Sequence, residues 1–193
     1  MTGTAATVTG PENPHDQLSR LSVTVFSALF LTGIAAGAVE YSHRSPVTER
    51  HVAATNAITI HVLLAIAATA AVLGIQARRS RRPAQRKHSP WTAPFSASAM
   101  RRLSRTIRFA DGLSVPNLAR VMAALPLVLV LVYAPVRMGA QISSGLDPNA
   151  TVNAWGGPTY FGALLAHWLD AIVSFYVAAF LLSHVLLPAA SGH

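Results

Sequence analysis

The sequence contains no cysteine among its 193 residues. Disulfides, iron–sulfur clusters, thiolate-bound zinc and covalently attached haem c are therefore excluded. Charged residues are also scarce, at 11% of the chain, whereas hydrophobic residues make up 52%. This balance, with its positive mean hydropathy, is wrong for a soluble domain and typical of a small multi-pass membrane protein.

Acidic residues are missing from the interval that holds most of the positive charge. Ten of the fifteen Lys and Arg residues lie between Arg78 and Arg108, and no Asp or Glu lies among them. A basic segment between two apolar runs is typical of a cytoplasmic loop that follows the positive-inside rule. We therefore predict a cytoplasmic loop over residues 78–117 and no nucleic-acid partner.

Motifs of soluble catalysis are missing as well. The chain has no GxSxG, HExxH or P-loop sequence, so nothing favours a hydrolase or a nucleotide-binding enzyme. The first 17 residues contain Glu12 and Asp16 and have no basic segment ahead of an apolar core. They do not match a secretory signal, and we expect a disordered cytoplasmic tail there.

Four apolar runs are long enough to cross a bilayer as helices, for which roughly 20 residues suffice. They cover about residues 18–41, 51–77, 118–136 and 160–187, with a polar link at 137–158 and a short tail at 189–193. The basic loop then places both termini in the cytoplasm and both short links outside. We predict an all-α membrane protein, a bundle of four transmembrane helices.

The second half of the basic loop has an amphipathic pattern. From Ser98 to Ala110 it places Met100, Leu103 and Ile107 on one face and arginines on the other. This spacing predicts a helix that lies on a surface. An anionic lipid surface and a partner subunit are the two alternatives for that surface.

Ionisable residues interrupt the fourth apolar run at His167, Asp170 and His184. Such groups cost on the order of 2.5–3.5 kcal/mol in hydrocarbon and mark a cofactor, an ion path or a buried polar contact. His61 lies about nine residues into the second span and His167 about eight into the fourth, roughly 12–14 Å below the outer surface. Since these two spans run in the same direction, the two imidazoles lie at matched depth.

The matched pair has three alternative uses. Two histidines so placed suit bis-imidazole ligation of one haem b near the outer face, and Gly33 of the antiparallel first span leaves room for the porphyrin. His61, His167 and Asp170 are also a donor set for a divalent metal, or each histidine only makes an interhelical hydrogen bond. We predict the haem, with Asp170 orienting His167 or holding a water beside a propionate.

His184 differs from these two histidines. A second haem at its depth needs a histidine on the inner half of the first span, and none lies between Leu18 and Leu31. We predict a structural or interfacial role for His184.

Three segments resemble the bacterial cytochrome b561-like superfamily, which includes the membrane cytochrome b subunits of formate dehydrogenases and nickel–iron hydrogenases. They are RLSVTVFSALFLTGI from Arg20, similar to the opening span; IHVLLA from Ile60, similar to the second-span ligand segment; and Ala166-His167-Trp168 with Ser183-His184-Val185, similar to the fourth-span ligands. Ser22 and Val23 stand where the family has its first-span histidine. The resemblance thus implies the outer haem and not the inner one.

The resemblance also implies a function. The chain is expected to be an electron-transfer or anchor subunit of an oxidoreductase complex rather than an enzyme alone. Its partners would be membrane lipid, membrane quinone and an outer-face redox protein or dehydrogenase subunit. The alternative from another class is a non-redox membrane scaffold or small transporter, whose intramembrane His and Asp bind a metal or relay protons.

Overall fold

The computed structural model describes residues 18–52, 57–80 and 93–187. The predicted tails at 1–17 and 189–193, and residues 81–92 of the basic loop, lie outside this part of the chain. The described residues form helices and connecting turns, with no strand among them. The helices are α1 Arg20–Ser42, α2 Ile58–Ser80, α3 Ala97–Ile107, α4 Val115–Ser144, α5 Pro148–Val152 and α6 Tyr160–Val185, with a 3-10 turn at Ala93–Phe95.

Three helices are long and apolar enough to cross a membrane, namely α1, α4 and α6. They confirm the all-α class and indicate a multi-pass membrane protein. The helix α2 has 23 residues, and its described apolar stretch covers Thr59–Ala71. A fourth span and the position of the termini stay predictions.

The helix α4 is longer than the third apolar run. It begins at Val115, where the Ser114 side chain accepts a hydrogen bond from the Asn117 backbone and a proline stands in the first turn, both typical of a helix start. It then continues to Ser144. Arg137, which the sequence pattern assigned to a polar link, therefore lies inside the helix.

The backbones of α1 and α4 touch. Gly33 and Gly37 of α1 lie against the backbone of α4, and Gly139 of α4 lies against the backbone of Phe30. A Cβ atom on any of these glycines would overlap a carbonyl oxygen of the facing helix. This is close packing through small residues, which membrane helices use where no hydrophobic effect drives them together.

Most of the buried core residues come from α4 and α6, and three packed phenylalanine rings connect α1 to them. Phe175 of α6 stacks on Phe95 of the 3-10 turn with ring centroids 5.6 Å apart. Phe26 of α1 meets Phe175 edge-on at 5.3 Å. Around these rings lie the buried residues Ala124, Leu131, Ala134, Ala171, Ala178, Leu182 and Leu186.

The two ends of the bundle are closed by different backbone hydrogen bonds. At one end, where α6 begins, the Ala57 N–H before α2 donates to the carbonyl of Trp155, 2.8 Å away. At the other, where α6 ends, the Ser19 N–H before α1 donates to the carbonyl of Phe95 at 2.7 Å. We call them the Tyr160 end and the Val185 end.

The helix α3 is the amphipathic helix that the sequence predicted, and it docks on its own bundle. Leu103 packs against the core, and the Leu187 N–H donates to the hydroxyl of Thr106 at 3.0 Å. Arg102 donates three hydrogen bonds of 2.7–3.0 Å to carbonyl oxygens at the end of α6, those of Ser183, Leu186 and Leu187. A cation at a helix C-terminus is favourable because it meets unpaired carbonyl groups and the negative end of the macrodipole.

The glycine contacts predict the effect of adding one methyl group. Gly33→Ala and Gly139→Ala should each lower the free energy of unfolding by about 1–3 kcal/mol, the usual cost of overpacking. Gly74→Ala in α2 is the matched control, because open space surrounds that position. Unfolding in a mixed-detergent titration measures all three, and equal stability of the variants would contradict the backbone contact.

Candidate functional site

His61 is buried in α2, with 6% of its surface exposed. Its Nδ1 lies 2.9 Å from the carbonyl oxygen of Ala57. Because a carbonyl oxygen only accepts, Nδ1 carries a proton. The other nitrogen, Nε2, lies 3.4 Å from Oδ2 of Asp170 on α6.

A hydrogen bond between His61 Nε2 and Asp170 Oδ2 would need one further proton. A neutral imidazole protonated at Nδ1 and an ionised carboxylate would present two lone pairs to each other. With one proton added, either Nε2 donates to the carboxylate or the carboxyl group donates to Nε2. The α2–α6 contact thus brings together two side chains that can hold one proton between them.

His167, three residues before Asp170, is bound by α4. Arg137 donates through a terminal guanidinium nitrogen to Nδ1 of His167, with 2.7 Å between the two atoms. Arginine has donors only, so Nδ1 accepts and the proton of the neutral ring lies on Nε2. The side chains of Arg137, Asp170 and His61 are all close enough for their charges to act on His167. We call His61, Arg137, His167 and Asp170 the ionisable cluster.

A second bond between α4 and α6 fixes the register that the cluster needs. Trp168 donates through its indole N–H to the carbonyl of Met138, 3.0 Å away. The contact joins the two residues that immediately follow His167 and Arg137. Trp168 also lies edge-on to Phe30 of α1, with ring centroids 6.4 Å apart. Three helices thus hold the Arg137–His167 pair in place.

Trp155 covers the cluster at the Tyr160 end. Its ring centroid lies 6.0 Å from that of His61, and 62% of Trp155 is exposed. The segment after it is held close to α6, because a Cβ on Gly156 would overlap the backbone of Gly162. The indole is therefore fixed between His61 and the surface.

Two asparagines tie the segments at the Tyr160 end together. Asn149 accepts from the Glu49 N–H at 2.7 Å and donates to the Val47 carbonyl at 2.9 Å. Asn153 accepts from the Val52 N–H at 2.8 Å. Residues 47–52 and the short helix α5 thus form one ordered layer above the bundle.

The predicted site residues have different outcomes. Asp170, predicted beside His167, has its close contact with His61, and the partner of His167 is Arg137; the use of His61 and His167 as one ligand pair stays a prediction. Gly33 lies against the backbone of α4, which is the helix-packing role. His184 is exposed at the Val185 end, with Nδ1 2.8 Å from the Phe180 carbonyl.

Arg137 is the site residue that the sequence analysis missed. A signal for the longer helix was present in Gly139 and Ser143, small residues four apart like Gly33 and Gly37 of α1. Such spacing is typical of a helix face that packs closely on another helix.

The two predicted axial ligands of a haem fit that role unequally. His61 fits, because a ring N–H bound to a carbonyl leaves the other nitrogen for a metal. His167 does not fit in this arrangement, since Arg137 at Nδ1 leaves the ring proton on Nε2. For the divalent-metal alternative, residues 18–52, 57–80 and 93–187 contain no group of three or more His, Cys, Asp or Glu placed to hold an ion.

No protein-family model, curated protein or solved structure matches this chain. The resemblance to the cytochrome b561-like superfamily therefore stays a prediction. The same holds for the haem, the quinone and the redox partner that it implies.

Proposed function

We propose that this chain is a four-span protein of the bacterial plasma membrane that binds a proton at the ionisable cluster and exchanges it with the outer face. This is the non-redox alternative, in which intramembrane His and Asp relay protons. The proposal rests on one observation, the 3.4 Å contact between His61 Nε2 and Asp170 Oδ2. Two titratable groups that share a proton inside a membrane are a proton-binding site.

The side chains of His61 and Asp170 differ in how much of their surface is exposed. The Asp170 side chain is 36% exposed, whereas that of His61 is 8% exposed. We therefore assign the exchange with the outer face to Asp170 and the protected position to His61. Moving the shared proton from Oδ2 to Nε2 turns a neutral pair into an imidazolium and a carboxylate without changing the total charge.

Arg137 limits the site to one proton. A second proton would leave an imidazolium beside a neutral carboxyl group and add a positive charge to a cluster that already contains the Arg137 guanidinium. Like charges at close range in a low dielectric repel strongly. His167, which accepts from Arg137 at 2.7 Å, stays neutral for the same reason.

The length of α2 and the position of the arginines of α3 support the four-span topology. The 23 residues of α2 make a helix about 34 Å long at 1.5 Å per residue, which exceeds a hydrocarbon core of about 30 Å. The arginines of α3 lie at the Val185 end. The positive-inside rule then places that end, and both termini, in the cytoplasm.

The topology is testable because the chain has no cysteine of its own. We expect Ser45→Cys and Leu146→Cys, both at exposed positions, to react with a membrane-impermeant maleimide on intact cells. Arg108→Cys, exposed beyond α3, should react only after permeabilisation. The opposite pattern would put the Asp170 entry on the cytoplasmic side.

The shared proton predicts how Asp170 reacts with a hydrophobic carbodiimide, a reagent that modifies neutral carboxyl groups. His61→Phe removes the partner, and an unpaired carboxylate in a low dielectric then takes up a proton to become neutral. Modification of Asp170 should therefore rise severalfold, as measured by mass spectrometry of membranes. Asp170 is the only acidic residue after Asp147, so the assignment of the modified peptide is unambiguous.

Two controls accompany this labelling. Asp170→Asn should abolish modification of that peptide. His184→Phe, at the Val185 end, should leave it at the wild-type level. Unchanged labelling in His61→Phe would show that Asp170 shares no proton with His61 and would remove the proposal.

Electron transfer through one haem b is the second candidate. It is favoured by His61, whose Nε2 faces α6 while its Nδ1 is held by Ala57, and by the nearness of His167. It further requires that His167 leave Arg137. The family resemblance would then supply quinone and an outer redox protein as partners.

An absorption spectrum separates the two candidates. We expect the purified, folded and reduced protein, produced with an ample haem supply, to lack the sharp alpha band of a low-spin haem. A band that disappears in His61→Ala and in His167→Ala, but persists in His184→Ala, would establish the haem and set aside the proton site.

A further inference from the structure

A large apolar cavity occupies the half of the bundle nearer the Val185 end. Its volume is about 1000 Å³, at the upper end of the range of small-molecule sites. Its wall comes from α1, α2, α3, α4 and α6, through residues that include Leu29, Ala68, Met100, Leu131 and Val173. The ionisable cluster does not line it, so the cavity is a separate feature of the bundle.

The cavity is long enough for a lipid acyl chain. Along α6 its wall extends from Leu169 to Leu186, about 25 Å at 1.5 Å per residue. One leaflet of a bilayer contributes about half of a hydrocarbon core roughly 30 Å thick. The cavity therefore accommodates an extended acyl chain from the leaflet at the Val185 end.

The positively charged side chain of Arg102 lies at the Val185 end of this cavity. Arg102 lines the wall and uses Nε and one terminal nitrogen for its bonds to the carbonyls of α6. The other terminal nitrogen takes no part in those bonds. The ion pairs found in the described part of the chain do not include Arg102. Its charge is thus balanced by carbonyl dipoles and not by a carboxylate.

An unpaired hydroxyl lies at the same end. Ser22, one turn into α1, also lines the cavity. It is 1% exposed, and its Oγ has no hydrogen-bond partner among the described residues. Buried hydroxyl groups are almost always bonded, so an unpaired one calls for a partner from outside the chain.

We propose that the cavity binds one anionic phospholipid of the leaflet at the Val185 end. One of its two acyl chains lies along α6, and its phosphate and ester oxygen atoms reach Arg102 and Ser22. Arginine and hydroxyl donors match phosphate oxygens, and the basic loop at this end enriches anionic lipid. The proposal is independent of the proton site.

The bound lipid has a structural consequence. Residues of five helices line the cavity, so an acyl chain inside it contacts several of these helices at once. A ligand that binds only the folded state raises its stability. Anionic lipid should therefore stabilise the whole bundle, not only the loop.

The first experiment compares two lipids that differ only in head group. The full-length protein is purified from membranes, and the retained lipid is extracted and counted. It is then titrated in detergent with phosphatidylglycerol or with phosphatidylcholine of the same acyl chains. We expect about one phosphatidylglycerol retained per chain, and a larger rise in Tm with phosphatidylglycerol. Equal rises with both lipids, or retention of neutral lipid only, would overturn the proposal.

The second experiment changes the volume of the cavity and the side chain of Arg102 in separate variants. Ala68→Phe fills the cavity from α2, and Ala70→Phe, at an exposed position of the same helix, is its matched control. Ala68→Phe and Arg102→Gln should each weaken phosphatidylglycerol binding about tenfold or more, whereas Arg102→Lys should lose less because it keeps the charge. Ala68→Phe leaves the hydrogen bonds between Arg102 and the end of α6 intact, so it still tests the site if Arg102→Gln fails to fold. Wild-type binding by Ala68→Phe would refute the proposed site.

Discussion

The contact between the α1 and α4 backbones is the constraint on which the rest of the bundle depends. Glycines at positions 33, 37 and 139 leave no side chain at the points where the two backbones touch. Two backbones that touch in this way have one rotation and one depth relative to each other, because any slip brings a Cβ onto a carbonyl oxygen. The face of α4 that meets α1 is thereby fixed, and Arg137 lies beside that face, turned toward α6 and His167.

Burial of charge in a membrane explains why the cluster residues occur in pairs. An isolated ionised group in hydrocarbon costs several kcal/mol, and a partner with the right donors and acceptors lowers that cost. His61 and Asp170 lie 3.4 Å apart, and Arg137 donates to His167. Each pair joins two helices, so the charges also bind α2 and α4 to α6. The atoms that make the site therefore also hold the bundle together.

Much of the architecture could be predicted from composition and periodicity. The apolar runs predicted helices, and the alternation after Ser98 predicted α3. These inferences depend only on the position of each residue along its helix axis. They work because 1.5 Å per residue converts sequence into depth.

Rotation about the helix axes was not predictable in the same way. Depth placed Gly33 level with His61, but only the facing helix decides whether a glycine admits a cofactor or a neighbouring backbone. The end of α4 was missed because hydropathy falls at Arg137, although the helix continues where α6 supplies a partner for the guanidinium. The docking of α3 through Arg102 was likewise hidden, since a sequence does not state which of several surfaces an amphipathic helix meets.

The two halves of the bundle are mechanically connected through α2 and α6. The helix α2 carries His61 at one level and Ala68, two turns on, in the cavity wall; α6 carries Asp170 and, directly before it, the lining residue Leu169. The same two helices therefore form part of the cavity wall and make the 3.4 Å contact between Nε2 and Oδ2. At 3.4 Å these atoms are farther apart than in a good N–H···O hydrogen bond, whose strength changes steeply with distance. The separation of α2 and α6 is thus a geometric quantity that the cavity wall and the ionisable cluster have in common.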